Sequence, residues 1–234
     1  KMISFMGGAT DPGGLYQITK TGDTWSKPSL LTPTINTLKY LESTASITPD
    51  GKTIFFASDR LGGQGGLDIY KTSLQPNGSW SNPVNLGAPV NTKADEDAPF
   101  IHPDQKTLFF TSNGHNSMGG RDIFVSKLVS DKWTSPENMG YPVNTTANDN
   151  YFTLMADGKR AYFSSYRKGG QGGQDIYYLD LPADASSIPL TMIKGKILNA
   201  ETGKPMPTRI YVVDNDTNKK LDFVYDPDPK TGNY

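Results

Sequence analysis

Asp68, Asp122 and Asp175 each stand in the phrase Gly-Gly-x-Asp-Ile-aromatic (GGLDIY, GGRDIF, GGQDIY), 54 and 53 residues apart. A carboxylate fixed after two glycines has two uses. It can ligate a metal, or it can accept hydrogen bonds from backbone that the glycines bring close. Recurrence in every unit is what a structural role demands, so these three read as anchors and no metal is expected. A second set of acids, Glu42, Glu96 and Asp149, follows the pairs Asn36-Thr37, Asn91-Thr92 and Asn144-Thr145. Asp59, Arg60, Asn113, His115, Arg167 and Lys168 lie in or beside the Gly-rich runs LGGQGG, HNSMGG and KGGQGG. Acids, amides, cations and permissive glycines gathered on loops suit a partner-binding surface. The plainer alternative is that Asn, Thr and the acids cap the turn between units.

Catalytic chemistry finds no foothold in these residues. The Gly-rich runs lack a Gly-Lys-Ser/Thr ending and precede strands, so they do not cradle phosphate at a helix N-terminus. No Gly-x-Ser-x-Gly elbow and no His-Glu-x-x-His helix occurs. A paired-carboxylate glycosidase stays open, because acids from different units can meet in space. His102 and His115 are the only histidines and sit in different contexts. Asp214-Asn215-Asp216-Thr217-Asn218 opens like a calcium loop, but position 6 is Lys219 and position 12 is Tyr225, so it reads as a polar hairpin turn. No cofactor is expected.

Composition narrows the class further. The 234 residues carry 23 Lys+Arg against 24 Asp+Glu, a net charge of −1, so the bulk basic charge of a nucleic-acid binder is absent. No 18-residue apolar run occurs, and no membrane-spanning helix is expected. The absence of cysteine removes disulfide, thiolate–metal and thiol-nucleophile chemistry. Gly and Pro make up 41 of the 234 residues. That is about 17.5 %, against an average near 12 %, and it suits many short strands joined by tight turns.

The elements that carry these residues are repeated. Trp25, Trp80 and Trp133 open WSKPSLLTPTINT, WSNPVNLGAPVNT and WTSPENMGYPVNT, with Asn 11 residues after each Trp. In step with them run STASITPDGKTIFFASDR, DAPFIHPDQKTLFFTSNG and NYFTLMADGKRAYFSSYR, whose turn aspartates are Asp50, Asp104 and Asp157. The tryptophans read as packing anchors between units. Each unit of about 54 residues predicts four short antiparallel strands: 44–48, Thr53–Ser58, Leu67–Ser73 and a fourth containing Trp80. No stretch holds a 3.6-residue period, so almost no helix is expected. Four strands per unit is the blade pattern of a β-propeller, in which neighbouring sheets must stack because one blade cannot bury both its faces.

The PDGK-x-x-FF-x-SDR phrase followed by DIY resembles the TolB-type (WD40-like) propeller repeat over residues 1 to about 182. The longer forms SDRLGGQGGLDIY and SMGGRDIF, with PVNT, resemble the propeller segment of OmpA-family envelope proteins, some belonging to the type IX secretion and gliding apparatus. Residues 192–234 resemble the start of a carboxypeptidase-regulatory-like β-sandwich. The fold class expected is therefore all-β: about 3.5 four-stranded antiparallel blades over 1–182, part of a larger ring, a linker at 183–191, and an incomplete sandwich at 192–234. The resemblance implies a non-catalytic protein-interaction scaffold, periplasmic and outer-membrane-associated. Its partners would be other cell-envelope proteins, with peptidoglycan reached only through a domain outside these residues. A glycan-binding or glycan-hydrolysing propeller, and the propeller of a larger peptidase, are the alternatives.

Overall fold

The computed structural model describes residues 2–8, 11–21, 24–37, 39–155, 159–181, 195–213 and 218–234. Asp157, the linker at 183–191 and the Asp214–Thr217 part of the calcium-like loop lie outside them. No described residue is helical. The chain divides into two compact units, residues 2–17 with 28–190, and residues 18–27 with 191–234.

The strands follow the repeat. β1 (Met2–Gly8) and β2 (Asp11–Ile18) precede a hairpin of β3 (Lys20–Thr21) and β4 (Thr24–Trp25), and β5 (Ser29–Leu30) pairs with β2 to give the sheet order β1-β2-β5. β6 (Glu42–Ile47), β7 (Thr53–Ser58), β8 (Asp68–Ser73) and β9 (Val84–Asn85) form a four-stranded sheet in chain order. β10 (Glu96–Ile101), β11 (Thr107–Ser112) and β12 (Asp122–Val129) repeat it, with β13 (Lys132–Trp133) and β14 (Glu137–Asn138) both on β12. β15 (Asp149–Leu154), β16 (Arg160–Ser165) and β17 (Asp175–Asp180) form the next sheet. In the second unit, β18 (Ile210–Val213) pairs with β19 (Lys220–Tyr225). The pairings of β2 with β5 and of all later strands are antiparallel.

The aromatic pattern sets register and stacking together. Phe56 faces Tyr70, Phe110 faces Phe124 and Phe163 faces Tyr177 across adjacent strands. Adjacent residues in a strand point to opposite faces. Phe56 therefore joins Ile3 and Leu15 of the first sheet and Ile35 of the turn after β5, while Phe55 joins Leu108, Phe110 and Phe124 of the following sheet. Phe109 likewise turns to Phe152 and Phe163. The doubled aromatics Phe55-Phe56 and Phe109-Phe110 thus each serve two interfaces. Burying each Phe side chain contributes about 1.5–3 kcal/mol. The tight turns hold through their aspartates: Asp104 Oδ1 accepts from the N–H groups of Lys106 and Thr107 at 2.8 and 2.9 Å, and Asp50 Oδ1 from Lys52 at 3.0 Å.

One expectation is corrected. The fourth strand does not contain Trp80; it is the two-residue β9, and in the next repeat β14. Trp80 makes only an isolated bridge to Leu74, and Trp133 ends a hairpin on β12. Pro83 and Pro136 supply the reason. They have no N–H to donate and break the ladder between the Trp turn and the outer strand. In the second unit Pro227 and Gly232 are buried, while Tyr211 and Val213 of β18 are exposed.

Candidate functional site

The acids placed by the repeat lie beneath the loop face. Glu42, Glu96 and Asp149 open β6, β10 and β15 and are buried. Glu96 accepts from the Thr92 N–H and hydroxyl and from the Ser112 hydroxyl, each at 2.7 Å. Glu42 and Asp149 repeat this with Thr37 and Thr145. Asn91 and Asn144 make a two-point clamp, accepting from the N–H of Ile69 and Ile123 and donating to the same residues' carbonyls at 2.8–3.0 Å. Asn36 holds Leu15 in the same way. The Asn-Thr-acid phrase therefore ties the outer turn of one repeat to its third strand and to the first strand of the next.

Arg60 and Arg167 lie partly buried over this network. Each Nη2 sits 3.0 Å from a carboxylate, Glu42 or Asp149, and donates at 2.7 Å to the carbonyl of Ile35 or Val143. Each guanidinium also covers an aromatic pair, Phe56 with Tyr70 or Phe163 with Tyr177, at 4.8–5.2 Å. In the middle repeat His115 takes this place. Its Nε2 lies 2.9 Å from the Val90 carbonyl, and its ring packs on Phe110 and Phe124. Asp59, Asn113 and Lys168 are exposed; Asp59 and Asn113 accept from the N–H groups of Leu41 and Asp95.

The aspartates of the Gly-Gly-x-Asp phrase point into their own loops. Asp68 accepts from the Gln64 N–H and Asn85 Nδ2, Asp122 from the Met118 N–H and Asn138 Nδ2, and Asp175 from the Gln171 N–H. Asp68 Oδ1 and Asp122 Oδ1 are buried without a hydrogen-bond partner. No cluster of three or more acidic or histidine side chains suited to a metal occurs among the described residues. The tryptophans differ from one another. Trp133 meets Phe55 of the preceding sheet edge-on at 6.2 Å, Trp80 packs on the cluster around Ile3 and Phe56, and Trp25 is 51 % exposed.

The inner strands carry a feature absent from the sequence reading. β6, β10 and β15 line a cleft of about 560 Å³, with Ser43, Thr44, Ala98, Phe100 and Tyr151 on its wall. Each strand has a register shift near its start, and Ala98 and Tyr151 take φ of 49° and 58°. Bulges of this kind re-aim side chains. Asp97 Oδ1 accepts from the Thr44 hydroxyl at 2.6 Å and from the Ala98 N–H at 2.7 Å, while Oδ2 accepts from Ser43 at 3.2 Å. Arg121 lies 2.8 Å from Asp95 and 3.8 Å from Asp97. Burial pushes the Tyr151 phenol above its usual 10.0; nearby Asp97 and Tyr166 add to this, and Arg121 opposes it.

Asp97, Arg121 and Tyr151 carry no repeat signal, because they break the repeat. The matching positions hold Ser43 and Asn150, Leu67 and Gln174, and Thr44 and Ala98. In a repeat protein the conformity marks packing, so departures are the signal to search for. Asp97 acts here purely as an acceptor, and both nearby carboxylates share one guanidinium.

The sequence matches no family model and no curated protein. Solved structures do resemble it. A TolB of Agrobacterium tumefaciens aligns with a TM-score of 0.50 at 18% identity, over 78% of this chain and 57% of that one. TolB from Acinetobacter baumannii aligns with a TM-score of 0.47 at 17% identity, over 97% and 52%. An alpha-L-arabinofuranosidase from Lactobacillus brevis has a TM-score of 0.47 at 13% identity, over 77% and 68%. The chain spans little more than half the length of the TolB structures it matches. The likeness concerns fold: this is an all-β chain with a TolB-like propeller architecture.

Proposed function

We propose that this chain is a non-catalytic protein-interaction scaffold of the Gram-negative cell envelope, acting in the periplasm. The supporting observation is how the loop face is built. Leu61, Met118, Tyr141 and Tyr166 are exposed on or beside its loops, between 49 and 79 %. Beneath them, the buried acids and arginines hold the backbone of those loops. A surface whose loops are already ordered spends less entropy on binding. Asp59, Asn113 and Lys168 supply its exposed polar rim.

The finer reading belongs to the same proposal. Residues 1–182 form part of a larger propeller ring, 183–191 a linker, and 192–234 the opening of a carboxypeptidase-regulatory-like sandwich. The assembly is outer-membrane-associated, of the OmpA-family type found in type IX secretion. Among the described residues no helix is long and apolar enough to cross a membrane.

The test is affinity capture from periplasmic extract, comparing the wild-type chain with a Leu61→Ser/Met118→Ser/Tyr141→Ala variant and with a Lys52→Ala/Lys106→Ala control in the opposite turns. The reading requires a protein captured by wild type and control and lost by the loop variant. Equal capture by all three sinks it. A glycan-binding reading is favoured by one observation, the half-exposed Tyr151 in the inner cleft. A glycan array that lights up for wild type and not for Tyr151→Ala would establish it instead.

A further inference from the structure

Two junctions between successive sheets follow one plan with an apolar and a polar half. Phe55 and Ile69 are covered by Leu108, Phe110 and Phe124 of the following sheet. Phe109 and Ile123 are covered by Phe152, Ala161 and Phe163 of the sheet after it. The matching residues of the β15-β16-β17 sheet are Tyr162 and Ile176. There Ile176 is 80 % exposed, and Tyr178, on the same face two residues on, is 61 % exposed.

The polar half is equally regular. The Gly66 N–H donates to the Ala94 carbonyl at 2.9 Å, the Leu67 N–H to Asp95 Oδ1 at 3.0 Å, and the Glu96 N–H to the Leu67 carbonyl at 2.7 Å. One repeat later, Gly120 donates to the Ala147 carbonyl at 3.2 Å, Arg121 to Asn148 Oδ1 at 2.9 Å, and Asp149 to the Arg121 carbonyl at 2.8 Å. The glycines are required by this contact. A Cβ on Gly65 would lie 2.7 Å from the Thr92 carbonyl oxygen, and one on Gly119 would lie 2.6 Å from that of Thr145. A Cβ on Gly172, the third counterpart, meets nothing within 4 Å.

We propose that the exposed face of the β15-β16-β17 sheet is the docking site for one further blade of this repeat class, and that Gly172, Gly173 and Gln174 form the socket for its opening turn. The turn that fits is Thr-x-Ala-Asx-acid, as in 92–96 and 145–149. Its carbonyls sit on the glycines, its Asx oxygen takes the Gln174 N–H, and the N–H of its acid donates to the Gln174 carbonyl. Tyr162, Ile176 and Tyr178 receive the apolar face behind it. A second copy of the chain does not meet this description. Its two such turns are already engaged within their own chain, and its remaining turn, Thr37 to Glu42, has neither the Ala nor the Asx. The proposal extends the larger-ring reading but stands apart from partner capture on the loop face.

The probe is a synthetic peptide of residues 90–101 (VNTKADEDAPFI), titrated into the isotope-labelled chain and followed by NMR at up to millimolar peptide. Saturable shifts are expected at the amides of 172–178 and in the Tyr162 and Tyr178 rings. Gly172→Val should weaken binding at least tenfold. The open space at that position lets the variant fold with an otherwise unchanged spectrum. No shifts at millimolar peptide, shifts located elsewhere, or equal binding by Gly172→Val would overturn the proposal. The capture experiment on the loop face can succeed or fail independently of any of these results.

Discussion

Arg60 Nη2 lies 3.0 Å from Oε1 of Glu42, with both side chains nearly out of solvent, at 12 and 2 % exposure. The same pair recurs as Arg167 and Asp149. Each arginine joins the buried acid of its own sheet to a carbonyl in the turn that leads into that sheet. Cutting Arg60 back to alanine leaves a buried carboxylate without its cation and removes the stack on Phe56 and Tyr70. The expected loss is about 3–5 kcal/mol, the usual result of breaking a buried pair from one side. Arg60→Lys should fall between, because lysine keeps the charge but not the planar fork. Denaturant unfolding of the two variants measures both, and equal stability of Arg60→Ala and wild type would refute the account.

The junction glycines separate close approach from mere permissiveness. Gly119→Ala forces a Cβ against the Thr145 and Ala147 carbonyls and should cost about 1–3 kcal/mol. Gly172→Ala, with nothing within 4 Å, should stay within about 0.5 kcal/mol of wild type. Paired melting curves decide it, and a similar penalty at both sites would remove the distinction.

The tryptophans should differ in the same manner. Trp133→Ala loses an edge-on contact with Phe55 across two sheets and should destabilise by about 3 kcal/mol or more. Trp25, half exposed, should cost about 1 kcal/mol or less on truncation. Equal effects would mean that repeat position, not packing, sets their contribution.

Tyr151 is held at φ 58°, a conformation costly for a residue with a Cβ and a ring. Tyr151→Asn should therefore raise stability by about 1 kcal/mol, since asparagine tolerates this region. A fall in melting temperature would show instead that the Tyr151 ring contributes more through contact than its backbone costs.

Acid lability has a named contributor. Burial by itself would raise the Asp104 carboxyl, but hydrogen bonds from the Thr107 hydroxyl and the N–H groups of Lys106 and Thr107, with His102 beside it, hold it below the usual 3.8. Its folded value is thus depressed. Its contribution is present above the unfolded value of about 3.9 and is lost as pH falls through the folded one. Asp104→Asn should flatten the stability–pH curve below about pH 4 relative to wild type. Parallel acid limbs for the two proteins would count against this.

Much of the fold was legible because each signal is local. The FF, PDGK and DIY phrases set strand faces, turn chemistry and cross-strand aromatic pairs within a few residues of themselves. The fourth strand was misplaced because β-propensity around Trp80 competes with Pro83, and the missing N–H wins. Within the candidate site, repeat position located Glu42, Glu96 and Asp149, but nothing local told whether their carboxylates face solvent or the Thr and Ser hydroxyls beneath the loops.

The sequence by itself determined the period and the strand-rich class, since these follow from alternation and turn geometry along one unit. Only the tertiary structure decided burial at the junctions. The same isoleucine is fully covered as Ile69 and Ile123 and 80 % exposed as Ile176. Its environment comes from the neighbouring sheet, not from its own strand. The cleft around Tyr151 arises the same way, from three inner strands more than fifty residues apart whose bulges converge only once the sheets have stacked.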